Sequence, residues 1–186
     1  MISDIINKIK AEYEDVFDEL DNWFDANVEL LNYQPIDGGW TIRLILEHIS
    51  LTNHFLLILI RKGTLKAIAK SKKIDEYSFA DNYDIDWNKL NQIGIHQSFR
   101  WNRPEHMGPA GVIDLAEVKS TLHSQKLEAL SYLNQLKNGE GVLYKTMMTV
   151  NNLGKIDVYH YIYFLVQHAK RHISQMEKVK TEFSTH

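Results

Sequence analysis

An all-α fold is predicted, a four-helix bundle with a long crossover between its second and third helices, and three observations carry that reading. Apolar residues recur at three- and four-residue intervals in four long stretches, and glycine and proline fall between those stretches. With 186 residues, 44% of them hydrophobic, the chain is long enough for one substantial core, and residues 1–186 are expected to form a single domain. Four helices of this length pack most economically as a bundle.

The first helix is expected from about Ser3 to Leu31, with Ile5, Ile9, Tyr13, Val16, Phe17, Leu20, Phe24, Val28 and Leu31 on one stripe and an acidic, solvated face opposite. After the turn-rich NYQPIDGG, Thr41 is a suitable N-cap for a second helix over Ile42–Arg61, ending before Gly63. Asp114, followed three residues later by Glu117 and flanked by Ile113 and Val118, announces a third helix that runs to about Leu136, where Asn138 and Gly139 stop it. The fourth begins after Gly154 with Asp157 as N-cap and continues to about Phe183. Gly63 to Ile113 is too long for a structureless connection, so KLNQIGIHQSFRW is read as a short helix within a crossover that covers one end of the bundle. Val142 to Val150 is either extended or a short helical piece.

Composition narrows the function. The formal charge of −3 comes from 21 basic and 24 acidic residues with no polybasic block, which argues against a nucleic-acid partner. The chain has no cysteine, so disulfides, a thiol nucleophile and thiolate-held clusters are excluded and histidine must carry any soft-metal chemistry. The first residues lack the uninterrupted apolar core of a signal peptide. Phe55 to Ile60, the most apolar run, is far shorter than the ~20 residues of a membrane span. No membrane partner and a cytoplasmic location are expected.

The candidate chemistry lies in HAKRHISQ. His168 and His172 are four residues apart, so at about 100° per residue the second ring stands only about 40° round from the first and one turn along. Two neutral imidazoles on one helix face can grip a divalent ion, although the same pair also suits histidines satisfied by core or surface neighbours. His48, in WTIRLILEHI, lies on a second apolar segment able to pack against the first. Three neutral nitrogens with a fourth position open to water are the pattern of a catalytic zinc-type site. Zinc is the default ion, and nickel, cobalt, manganese or iron also suit an all-nitrogen site.

Three pieces in order, GWTIRLILEHI, RPEHMGPAGVIDLAEVKSTL and NNLGKIDVYHYIYFLVQHAKRHISQM, resemble the DinB-like superfamily of metal-binding four-helix bundles. The resemblance implies an up-down-down-up bundle and frequent homodimers. It implies metal ligands at His48, His168 and His172, and thiol-dependent transfer or isomerisation or metal-dependent hydrolysis of a small-molecule substrate, although many members have no assigned activity. A low-molecular-weight thiol is then a candidate partner. The family often has Glu after the first histidine of the last motif, where this chain has Ala169, so a proton carrier used by some members is missing.

Other residues have weaker claims. Gln175, one turn past His172, can orient that imidazole or simply cover helix surface. Glu47 points some 100° away from His48 and is read as an interhelical or solvent residue, a weak general base. Arg100, Trp101 and Arg103 can hold an anionic substrate or thiol over the site, or form a loop packing its own tryptophan. Trp40 is expected to anchor the second helix in the core. At most one or two of Tyr159, Tyr161 and Tyr163 can face a pocket. His160 is expected to bond to a neighbour, and His54 to lie on the surface or in packing. His96, His106, His123 and His186 receive no role. A non-catalytic metal- or ligand-binding stress-response module is the alternative to an enzyme, and a helical bundle without metal is a third reading.

Overall fold

An amphipathic stripe opens the chain. Helix α1 (Ile2–Asn22) buries Ile6, Ile9, Tyr13, Val16, Phe17 and Leu20. A 3-10 turn over Trp23–Asp25 and an extended Ala26 then end it, and the Asn27 side chain accepts a 2.8 Å bond from the Glu29 amide to start α2 (Val28–Asn32). The single helix expected to Leu31 is therefore two, because Asn27 offers the backbone a competing side-chain bond. Val28 is 70% exposed rather than on the stripe. The computed structural model describes residues 1–74, 80–99, 101 and 104–185.

Thr41 caps α3 (Ile42–Ser71), its hydroxyl accepting from the Leu44 amide at 3.3 Å. The helix passes straight through Gly63, which was expected to follow its end. Gly63 serves close approach instead: a Cβ there would lie 2.9 Å from Val158 Cγ2. Gly63→Val is accordingly expected to lower stability by about 1–3 kcal/mol through overpacking. Urea unfolding of the variant checks this, and an unchanged midpoint would refute it.

The short helix expected over KLNQIGIHQSFRW is present in its first half only: α4 (Trp87–Gly94) starts earlier, at its Asp86 cap, and stops where Ile95 turns extended, with Leu90 and Ile93 buried against the last long helix. A 3-10 turn over Glu105–Met107 follows. Asp114 caps α5 (Leu115–Gln135), although its carboxylate closes on the Ala116 amide at 2.8 Å rather than on that of Glu117. Gly139, at φ +94°, then turns the chain in the left-handed region that favours glycine. Where Val142 to Val150 left two possibilities, both occur in part. A 3-10 turn over Glu140–Leu143 leads into β1 (Lys145–Met148), which pairs antiparallel with β2 (Gly154–Asp157), Lys145 opposite Asp157. The all-helical expectation is thus modified by one two-stranded hairpin. Its tip docks on α4, the Lys89 ammonium donating to the Asn152 carbonyl at 2.6 Å.

Asp157 caps α6 (Val158–Ser184), accepting from the His160 amide at 3.2 Å. Helices α1 and α3 each pack against both α5 and α6, so the contacts of the four long helices close a ring. The fold is mostly helical. Helix α6 is buried on nearly every side from Val158 to Ile173, because α4 and the hairpin cover the flank that the ring leaves open. Among the described residues α3 alone is long and apolar enough to cross a membrane by length and composition, which the short run at Phe55–Ile60 did not suggest. Yet 61% of its most apolar stretch is buried inside the protein, as in a core helix.

Candidate metal centre

Packing of α3 against α6 brings His48 to His168 and His172. The three rings meet edge to face with centroids 4.5–5.2 Å apart, and the side chains are only 5%, 2% and 8% exposed. One ring nitrogen of each lies within 4.8 Å of the others.

Hydrogen bonds behind two of the rings indicate which nitrogen carries the proton. A carbonyl can only accept, so His48 Nδ1 donates to Met107 O at 2.7 Å and Nε2 is left as the basic nitrogen. His172 Nδ1 likewise donates to Gln175 Oε1 at 2.9 Å, and its Nε2 stands 3.1 Å from His168 Nε2. At most one proton fits between those two atoms. If His168 keeps it there, its buried Nδ1 becomes a lone pair without a hydrogen-bond partner; if the proton sits on Nδ1, the two facing lone pairs repel. A cation between the Nε2 atoms relieves that repulsion. Nitrogens held tetrahedrally at 2.0–2.1 Å from zinc are roughly 3.3 Å apart, so this spacing already suits two ligands of one ion. The buried trio can therefore hold a divalent metal.

Burial also keeps the His168 and His172 imidazoles neutral, the form that binds metal. For His172, burial foremost and then the neighbouring His48 push the pKa down to about 3; the Gln175 bond opposes this, and Arg171 and His96 add to it. His168 is held well below the usual histidine range by burial, then by His172, His48 and Arg171.

Beside the histidines lies a cavity of about 220 Å³, walled by Trp40, Thr52, Trp101, Pro104, Met107 and Arg171. Trp40 anchors the start of α3, as expected, and its ring also faces His48 at 4.9 Å. Trp101 packs 5.7 Å from both Phe164 and His168, while Arg100 and Arg103, grouped with it on sequence, lie outside the described residues. Among the described residues no carboxylate lines this cavity. Ala169 is fully buried and outside the lining.

Glu47 departs from expectation. It is 2% exposed, and its two oxygens accept from the Ala110 and Gly111 amides at 2.7 and 3.0 Å. It faces neither solvent nor the cavity, because those amides give the carboxylate the partners it needs to be buried. The clamp holds down the loop that presents the Met107 carbonyl to His48. Gln175, by contrast, does reach His172.

None of the three tyrosines lines the cavity. Their hydroxyls bond to Leu136 O, to Thr146 and Met147 O, and to Asn91 and Glu12. His160 bonds to Asp157 Oδ1 at 2.9 Å and lies 3.1 Å from the Tyr83 hydroxyl. His54, His106 and His123 are exposed, His96 sits beside Lys178, and His186 is outside the described residues. A surface groove of about 350 Å³ between α1 and α5 pairs its own charges, Asp18 with Lys126, and brings no donor set together.

Two contributors were missed on sequence. Met107 acts through its backbone, which leaves no trace in residue type. Arg171 did leave one, since it sits three residues after His168, about 60° round the same helix.

Comparison with the curated proteins and with the solved structures returned no match. The sequence pattern of the DinB superfamily matches residues 9–176, a span holding all three histidines and most of the chain. This chain belongs to the DinB superfamily.

Proposed function

We propose that this protein is a divalent-metal-dependent enzyme in which His48, His168 and His172 hold one ion, zinc by default. The reading extends to the fold: the ring of long helices is taken as an up-down-down-up bundle forming one domain. The observation that carries the functional reading is the 3.1 Å approach of the His168 and His172 Nε2 atoms inside a buried trio whose outer nitrogens are hydrogen-bonded at two of three positions.

When bound, a divalent ion supplies an anionic nucleophile near neutral pH by lowering the pKa of water or a thiol. The chain's own residues do the rest. Met107 O and Gln175 fix the tautomers of His48 and His172 so that both Nε2 atoms converge. Trp40, Trp101 and Met107 give the cavity an apolar wall. Among the described residues no carboxylate stands there as general base, which favours a nucleophile that gives up its proton without one. Metal binding would lower the proton affinity of water and of a thiol alike, so hydrolysis and transfer to or from a small thiol both fit a site without a general base.

Metal analysis of protein purified without chelator or nickel resin tests the first part, with one ion per chain expected. Turnover of electrophilic substrates with a low-molecular-weight thiol, against ester and amide hydrolysis without one, then separates the two chemistries. The missing carboxylate also supports a second reading, a metal-binding module without turnover. Stoichiometric metal with no reaction in either assay would establish that reading in place of the first.

Gln175→Ala should weaken metal affinity by roughly 10-fold or more, since it removes the acceptor that orients His172. Competition with a chromophoric chelator measures this, and unchanged affinity would make Gln175 a surface cover only.

A further inference from the structure

We propose that Arg171 is the anion-binding group of the histidine pocket, and that its ligand is a small carboxylate with an apolar body. The inference rests on the reading of this cavity as a substrate site, and it names the class of molecule the site takes.

Arg171 is 8% exposed and lines the cavity from the same helix as His168 and His172. A guanidinium has five N–H donors in a planar fork. Its Nη1 donates to Ile95 O at 2.5 Å, with Ile93 O at 3.5 Å, both at the C-terminal end of α4. Its centre stands 5.2 Å from the ring centroids of Phe99 and Trp101. These contacts fix the plane of the fork and occupy one of its three nitrogens. Among the described residues no carboxylate forms an ion pair with it.

A buried charge is normally paired, because leaving water costs it several kcal/mol. The α4 carbonyls and the two aromatic faces offset part of that cost. They do not neutralise the charge, and a neutral amide donor would pin the same carbonyls without carrying one. The rest of the wall fits an anion: it has no acidic group to repel one, and the neighbouring imidazoles His168 and His172 are neutral. Trp40, Trp101, Pro104 and Met107 supply apolar surface for the body of the molecule. At about 220 Å³ the cavity lies below the usual ligand-pocket range of roughly 300–1,000 Å³, which restricts it to small molecules.

The test compares 3-phenylpropionate with its neutral isostere 3-phenylpropanamide by calorimetry, on metal-free and on cobalt-loaded protein. Wild-type protein is expected to bind the acid at least 10-fold more tightly than the amide in both forms. Arg171→Gln should bring the acid down to the affinity of the amide and leave the amide unchanged, and Arg171→Lys should keep part of the preference. A purely structural pin would move both ligands together. Equal binding of acid and amide by the wild type, no binding of either, or a preference that survives in Arg171→Gln would each overturn the proposal. If Arg171→Gln does not fold, the wild-type ratio and Arg171→Lys decide. Failure to take up cobalt, with the acid preference intact in metal-free protein, would refute the metal reading alone.

Discussion

Replacing His168 with alanine is expected to reduce bound metal from one ion per chain to less than about a tenth of that under the same loading, because two nitrogens fall short of the three protein ligands an open zinc-type site uses. His168 is the strongest choice among the three. Its Nε2 makes the 3.1 Å approach to His172, and it is the deepest of the group at 2% exposure. The substitution leaves a cavity, which destabilises, but it also removes a buried Nδ1 that has no partner. Metal-free stability should therefore move by no more than about 2 kcal/mol, well within what a folded domain tolerates. Elemental analysis reads the metal and urea unfolding reads the stability, so loss of ligation is separated from loss of fold. Stoichiometric metal in the folded variant would remove His168 from the ligand set. His48→Ala should act in the same direction from the opposite helix.

How far the site was legible follows from where its information is stored. The four-residue spacing of His168 and His172 is written in the chain, and any helix through HAKRHISQ puts both on one face. The starts of α3, α5 and α6 were legible for a similar reason, since Thr41, Asp114 and Asp157 each cap with their own side chains. Gly63 misled because a glycine that ends a helix and one that lets two elements touch look alike until Val158 is seen against it. Asn27 broke the first helix through a local bond that an apolar stripe conceals. Glu47 resembled a solvent residue because its partners are backbone amides 63 and 64 positions away, which carry no residue-type signal. The Met107 carbonyl was hidden for the same reason. Long-range backbone partners were thus the part that the chain did not disclose, and they fix the protonation of His48 and the position of the loop over it.

Acidifying the metal-free protein is expected to unfold it far more readily than its net charge suggests, with a loss of about 2 kcal/mol from His172 alone between neutral pH and pH 5 and a further loss from His168. Both His168 and His172 have folded-state values below the unfolded one, His172 at about 3 and His168 well under the ordinary range. The unfolded chain therefore binds protons that the folded chain refuses. For a depressed group the stabilisation is complete above the unfolded value, near 6.5, and falls as pH drops from there towards the folded value. Each such histidine contributes a slope of up to about 1.4 kcal/mol per pH unit in that window, and His172, with its folded value of about 3, gives the figure above. Against a total stability of 5–15 kcal/mol for a typical domain, this is a large fraction. Loading with metal should add roughly 4 kcal/mol at neutral pH when free ion stands a thousandfold above Kd, and that increment should vanish in acid as protons compete for the same nitrogens. Urea unfolding at pH 7.5, 6.5, 5.5 and 5.0, with and without metal, measures both effects. His172→Asn should lower the acid slope of the metal-free protein, since one of the refusing groups is gone. A metal-free protein equally stable at pH 7.5 and pH 5.0 would mean that these imidazoles take up protons inside the fold, and the buried neutral trio on which metal binding depends would be wrong.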